Sequence, residues 1–254
     1  MAQTGNLFLN LGSLTPVGMS DLNSDDATPK GFTPGAVAIM TDAFGFKAYK
    51  YGLAPAAATQ GAFHKKVANV TGTITANAGE VNDLTHYAVT GNWASANLDR
   101  GKIAYVTGGT AGAAPEGDTS IVAAHGTGQV TIDSRMPLSA PLVVGNTIAH
   151  ISVFHTGASA SGDNAIICYG VVMAARTAGN YGWYCMYGPT IATFKATTAV
   201  AALAAVIAET SCLTTFGAST VEDWVGFNMA ARGASTATTR GLAFIDLWRM
   251  AQPQ

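Results

Sequence analysis

Five histidines, three cysteines and fifteen acidic residues are the groups in this 254-residue chain that could do acid–base, nucleophilic or metal chemistry. Their spacing does not set them up for it. Cys168, Cys185 and Cys212 form no C-x-x-C pair and lie in or near apolar runs. They read as buried free thiols, as expected of assembly in a reducing cytosol. His150 and His155 are five residues apart, so on one strand they face opposite ways and cannot share a metal ion. His64-Lys65-Lys66 is the one basic cluster; it reads as a solvated turn, the sharper alternative being contact with an acidic neighbour. Asp21, Asn23 and Asp25 begin like a calcium loop, but that loop wants Gly where Asp26 stands and Glu where Phe32 stands. A solvated acidic loop is the expectation there. Glu222 and Asp223 are sequence neighbours, whereas glycoside hydrolysis needs two carboxylates facing one cleft. The glycines around Ser159 and Ser161 do not make a nucleophile elbow, and Gly126-Thr127-Gly128 stops short of a phosphate loop. The expectation is a protein that is not an enzyme, with no cofactor, no metal and no catalytic residue.

The elements that would have to position any site are strands. Asn180-Tyr181-Gly182-Trp183-Tyr184-Cys185-Met186-Tyr187-Gly188-Pro189 holds four aromatic rings. Tyr181, Trp183 and Tyr187 share one parity with Cys185, as on a strand whose one face covers a core. Residues 166–175 read as a partner strand, and the Gly- and Asn-bearing residues 176–180 as the turn of a hairpin. A second hairpin is predicted from 34–40 and 46–51. Further strands are expected at 67–75, 86–90, 103–107, 120–124, 129–133, 148–154, 190–195, 224–229 and 242–248. The stretch 197–208 fits either a short Ala-rich helix or a buried strand. Short strands, Gly-rich turns and almost no amphipathic helix predict an all-β fold. Its form is a sandwich- or barrel-like body of short antiparallel strands. Tyr181, Trp183, Tyr187, Trp224 and Phe244 are the expected core aromatics.

Residues 1–30 are polar, with one apolar patch at Leu7, Phe8, Leu9 and Leu11. They read as an extended N-terminal arm, and that patch as its contact with a partner. Residues 31–254 form the β body, either as a whole or as two sub-domains, about 31–118 and 119–254. Charged residues make up only 11 % of the chain, well under the roughly 25 % of ordinary soluble domains. Such a surface suits a protein covered by neighbours. The net charge of −2 offers no electrostatic case for nucleic acid or an anionic membrane. The first residues show no secretory leader, and no run approaches the ~18 apolar residues of a membrane span.

Three groups of residues together resemble the capsid decoration, or cement, proteins of tailed bacteriophages and related small virion β-proteins. They are Pro34-Gly35 through Met40 with Phe46 to Tyr51 and Gln60-Gly61; Gly170-Val171-Val172 followed by Gly179-Asn180-Tyr181-Gly182-Trp183; and Val225-Gly226-Phe227 with Phe244-Ile245-Asp246-Leu247. The likeness covers the last third and, more loosely, the first hairpin; residues 65–150 match nothing of the family. It implies a structural virion protein on the capsid exterior, assembled in the host cytoplasm. The implied partners are the major capsid protein and further copies of the chain, as a dimer or trimer, without nucleic acid or membrane. Two other classes compete: a tail- or fibre-associated module binding glycans through exposed Trp and Tyr, and a secreted β-sandwich hydrolase.

Overall fold

In a computed structural model, the structure describes residues 6–11, 17–29, 31–32, 34–42, 45–54, 56–66, 70–75, 81–90, 99–108, 116–126, 128–151, 156–158, 168–196, 199–209, 212–215 and 224–247. The described chain is all-β, with a single helical turn, α1 (Met19–Leu22). No described helix is long and apolar enough to cross a membrane.

The chain forms two compact units. One comprises residues 1–66 and 155–254, the other residues 67–154. The sub-domain boundary expected near residue 118 therefore falls inside the second unit, between two of its paired strands.

The first unit is organised along β13 (Asn180–Phe194), fifteen residues long. Its first half pairs antiparallel with β3 (Gly45–Ala54), and its second half with β17 (Thr239–Asp246). On the far side of β3 lie β2 (Val37–Asp42) and then β1 (Asn6–Leu11) at the edge. Beyond β17 the order runs through β16 (Gly226–Asn228) and β14 (Ala205–Glu209) to β15 (Cys212–Thr215), which returns to β13 by a parallel contact at Phe194 and Leu213. Both expected hairpins form: β2 with β3, and β12 (Cys168–Val172) with β13. The ambiguous stretch resolves as strand over 205–209. Gly188, at φ +102°, sits where an added Cβ would lie 2.8 Å from the Phe46 carbonyl oxygen. Only glycine adopts that backbone readily, and it lets β13 pass from one partner to the other.

The core of this unit centres on Trp183, fully buried, with Tyr51 at 5.1 Å and Phe32 at 5.2 Å between ring centroids, and Tyr181 stacked on Tyr51 at 6.0 Å. Tyr181 and Trp183 are thus core residues as expected. The other three expected core aromatics are only half-buried. A register shift between Cys185 and Tyr187 breaks the alternation along β13. Tyr187 leaves the Trp183 face and packs edge-on against Phe46 and Phe244. On β17 the inward positions are Ala243 and Ile245; Phe244 faces the other way and stacks on Phe227, rings 4.9 Å apart. Trp224 precedes β16, beside a hollow lined by Leu203 and Phe227.

The second unit is a closed six-stranded barrel. Its order is β10 (Thr147–Ile151), β5 (Val70–Ile74), β6 (His86–Thr90), β9 (Gln129–Ile132), β8 (Thr119–His125) and β7 (Ile103–Gly108), which pairs back with β10. Alternation fills it: Ile74, Tyr87, Val89, Ala104, Val106, Val122, Val130, Ile132 and Ile148 make one cluster.

Residues 17–29 do not behave as an extended arm. Val17 and Leu22 are buried in the Trp183 core. Asp26 is buried, and its backbone exchanges two hydrogen bonds with Tyr181, at 3.0 and 2.7 Å. The expected solvated acidic loop is tied down by Arg176. Its guanidinium, also buried, donates to the Ser24 and Trp183 carbonyls, and Asp25 accepts from Thr177 Oγ1 at 2.8 Å. An arginine enclosed in apolar surroundings needs carboxylates and carbonyls around it, and the acidic segment supplies them. Gly182 completes the seat, because a Cβ there would lie 2.0 Å from the guanidinium carbon.

Candidate functional site

Leu7, Phe8 and Leu11 occupy paired positions on β1, opposite Met40, Ile39 and Val37, and Leu9 falls at the register shift between Phe8 and Asn10. The apolar patch is thus part of an edge strand, not a free arm.

His64-Lys65-Lys66 is not a solvated turn. It lies in β4 (Phe63–Lys66), between β12 and β11 (Thr156–Ala158). His64 is buried, with Nδ1 3.1 Å from Thr156 Oγ1, which in turn lies 2.7 Å from the Tyr184 hydroxyl. Burial, with the nearby Arg176 charge, pushes the imidazole down to about 4. Cys185 is buried, and burial raises its thiol to about 12, which leaves it inert as a nucleophile. Cys212 is half-buried. His155 and Glu222-Asp223 lie outside the described residues.

Two features were not legible in the sequence. The first is an apolar groove of about 390 Å³ on the first unit. Ile191 of β13 and Leu242 of β17 are register partners, so their side chains stand together on the outward face. Pro189 lies beside them in the groove, and Met19, Met173 and Met229 close it. Met19 is 56 % exposed, Ile191 54 %, Leu242 43 % and Met229 37 %. Lys47 and Gln60 stand at the same groove. A clustered set of large apolar side chains in solvent marks an interaction surface more often than an accident of packing. The signal in sequence is weak, because β13 is apolar on both parities.

The second is a buried polar cluster in the barrel. Asp99 precedes β7, His125 ends β8, His150 lies in β10 and Tyr87 in β6. Asp99 Oδ2 is 3.1 Å from His125 Nδ1 and 3.0 Å from His150 Nδ1, and Asp99 Oδ1 accepts from the Lys102 ammonium. Tyr87 Oη is 2.6 Å from His150 Nε2. All five side chains are buried. An ionised carboxylate only accepts, so both imidazoles donate Nδ1–H to it, and Tyr87 donates its hydroxyl proton to His150 Nε2. Burial works to raise the Asp99 carboxyl, but hydrogen bonds from His125, His150 and Lys102 outweigh it and hold it well below the usual carboxylate range. Burial pushes His150 down against the pull of Asp99, and burial followed by the Asp99 charge pushes Tyr87 well up.

The ligand atoms of Asp99, His125 and His150 lie within 4.8 Å of one another, and two imidazoles with a carboxylate are a borderline donor set. The Lys102 ammonium already neutralises that carboxylate. A dication there would leave three positive charges against one negative in a buried space. The residues fit the ion pair better than a metal.

The glycan reading expected Trp183 and Tyr187 to be exposed; the Trp183 ring is fully buried and Tyr187 is half-buried. Comparison of the chain with family models, curated proteins and solved structures finds no match.

Proposed function

We propose that the protein is a structural virion component that binds the outer surface of an assembled capsid and stabilises it, without catalysis. Its partners are the major capsid protein and other copies of itself, and its place is the virion exterior. The observation that carries this reading is the apolar groove on a chain with only 11 % charged residues. Repetition over a lattice turns a modest contact into firm attachment. The sealed position of Asp99, His125 and His150 also favours binding over chemistry, because no substrate reaches a fully enclosed acid–base group. Edge strand β1, with its unpaired outer side among the described strands, is a further place for contact.

The test is co-sedimentation with purified capsid shells. The intact chain is expected to sediment with shells and to stay bound as salt is raised. Replacing Ile191 and Leu242 with Ser is expected to weaken binding by about 1.5–3 kcal/mol for each side chain that the shell buries. A chain that stays in the supernatant at saturating shell concentration overturns the capsid reading. A double variant that binds as well as the parent overturns the assignment of the groove.

A further inference from the structure

We infer that the barrel of residues 67–154 carries an acid-released lock, in which proton uptake by His150 breaks the Asp99 cluster and frees the turn that precedes β7. The inference is independent of the capsid reading.

The described backbone ties of the turn at Asp99 include Gly101 N to the Val122 carbonyl at 2.8 Å, Val122 N to the Lys102 carbonyl at 2.9 Å and Lys102 N to the Asp99 carbonyl at 3.0 Å. The Asp99 side chain adds a link to β8 through His125 and one to β10 through His150, and His150 continues the link to β6 through Tyr87. Three pieces of the barrel wall thus meet on one carboxylate, and a fourth joins through His150. Among the described residues, the titratable and charged groups shown against His150 are Asp99, Lys102, His125 and Tyr87. One of them is an anion and one a cation, so these groups balance while both imidazoles are neutral.

A proton can enter His150 only at Nε2, since Nδ1 already carries one. That changes two things at once. Tyr87 loses the acceptor for its hydroxyl proton inside an apolar barrel, where an unmatched donor is costly. A second cation then shares Asp99 with the Lys102 ammonium, 0 % of the imidazole surface being open to water to screen it. Opening the turn relieves both. The sign follows from the buried imidazole being held neutral. A solvated histidine takes its proton near pH 6.5, while His150 in the closed barrel takes it at lower pH. The lock is therefore complete above about pH 6.5 and weakens as pH falls.

The experiment is amide hydrogen exchange of the full chain at pH 7.5, 6.5, 5.5 and 5.0, corrected for intrinsic exchange rates and read on peptides covering residues 99–108, 119–125 and 147–151. The opening constant is expected to rise as pH falls below 6.5, by up to about tenfold per pH unit until the closed barrel itself takes the proton. His150→Asn keeps a donor toward Asp99 without a titrating ring and should flatten that slope, whatever its overall stability. Tyr87→Phe removes the donor on Nε2 and should move the onset to higher pH. Should His150→Asn not fold, the nitrogen shifts of the parental imidazoles report the same point: His150 should take its proton below pH 6.5, after exchange has begun to rise. Equal corrected exchange at pH 7.5 and 5.0, a parental slope in His150→Asn, or a His150 that takes its proton at or above pH 6.5 overturns the inference.

Discussion

Leu22 separates a docked N-terminal segment from a free arm. It is 1 % exposed, at the end of α1, and belongs to the Trp183 core with Val17 and Phe32. Leu22→Ala removes a buried isobutyl group and leaves a cavity, at a cost of about 2–5 kcal/mol. In a unit of 150–250 residues each kcal/mol lowers the melting midpoint by about 2–4 °C, so the midpoint should fall by about 4–20 °C. Met19, on the same helical turn but 56 % exposed, is the internal control. Met19→Ala should stay within about 0.5 kcal/mol of the parent. Deleting residues 1–30 goes further. It takes away Val17, Leu22 and the Asp26–Tyr181 backbone pair, and strips the buried Arg176 of Ser24, Asp25 and Asp26. Removing one side of a buried ionic arrangement costs about 3–5 kcal/mol. Together these losses rival the roughly 5–15 kcal/mol that keeps a domain folded. Differential scanning calorimetry of the full chain reads both changes. A Leu22→Ala midpoint within error of Met19→Ala would refute the docking of this segment. So would a truncated chain that melts like the parent, which is the behaviour of an extended arm.

Trp183→Ala should cost about 3–5 kcal/mol in urea unfolding, and an unchanged midpoint would mean the ring is not enclosed. Gly182→Ala should drive the Arg176 guanidinium from its seat. In a double-mutant cycle it should cost far less in an Arg176→Ala background, while additive costs would show that the two do not meet. His64 takes its proton near pH 4 in the fold and near 6.5 when unfolded. The first unit should therefore hold this stability in full above pH 6.5 and lose about 1.4 kcal/mol per pH unit between there and pH 4. His64→Asn should level that part of the pH profile, and an unaltered profile would count against the buried neutral imidazole.

Local alternation was enough to locate most strands. The expected 86–90, 103–107, 120–124 and 129–133 match β6 to β9 within a residue or two, because inward and outward side chains alternate with the strand period. The same signal marked Trp183 and Tyr181 as core, since rings of that size on an apolar strand are stable only when covered. What alternation could not carry is partnership between distant stretches. His64-Lys65-Lys66 looks solvated until Thr156 and Cys168 arrive from about a hundred residues away to flank it. Asp99, His125 and His150 are far apart in sequence and share no motif; closure of the barrel alone brings their atoms to 3 Å. Residues 17–29 look like a polar arm because their acidic groups are visible in sequence while the arginine that neutralises them stands at 176. Periodicity reports how a segment meets whatever lies beside it, and only the pairing of strands across the whole chain decides what that is.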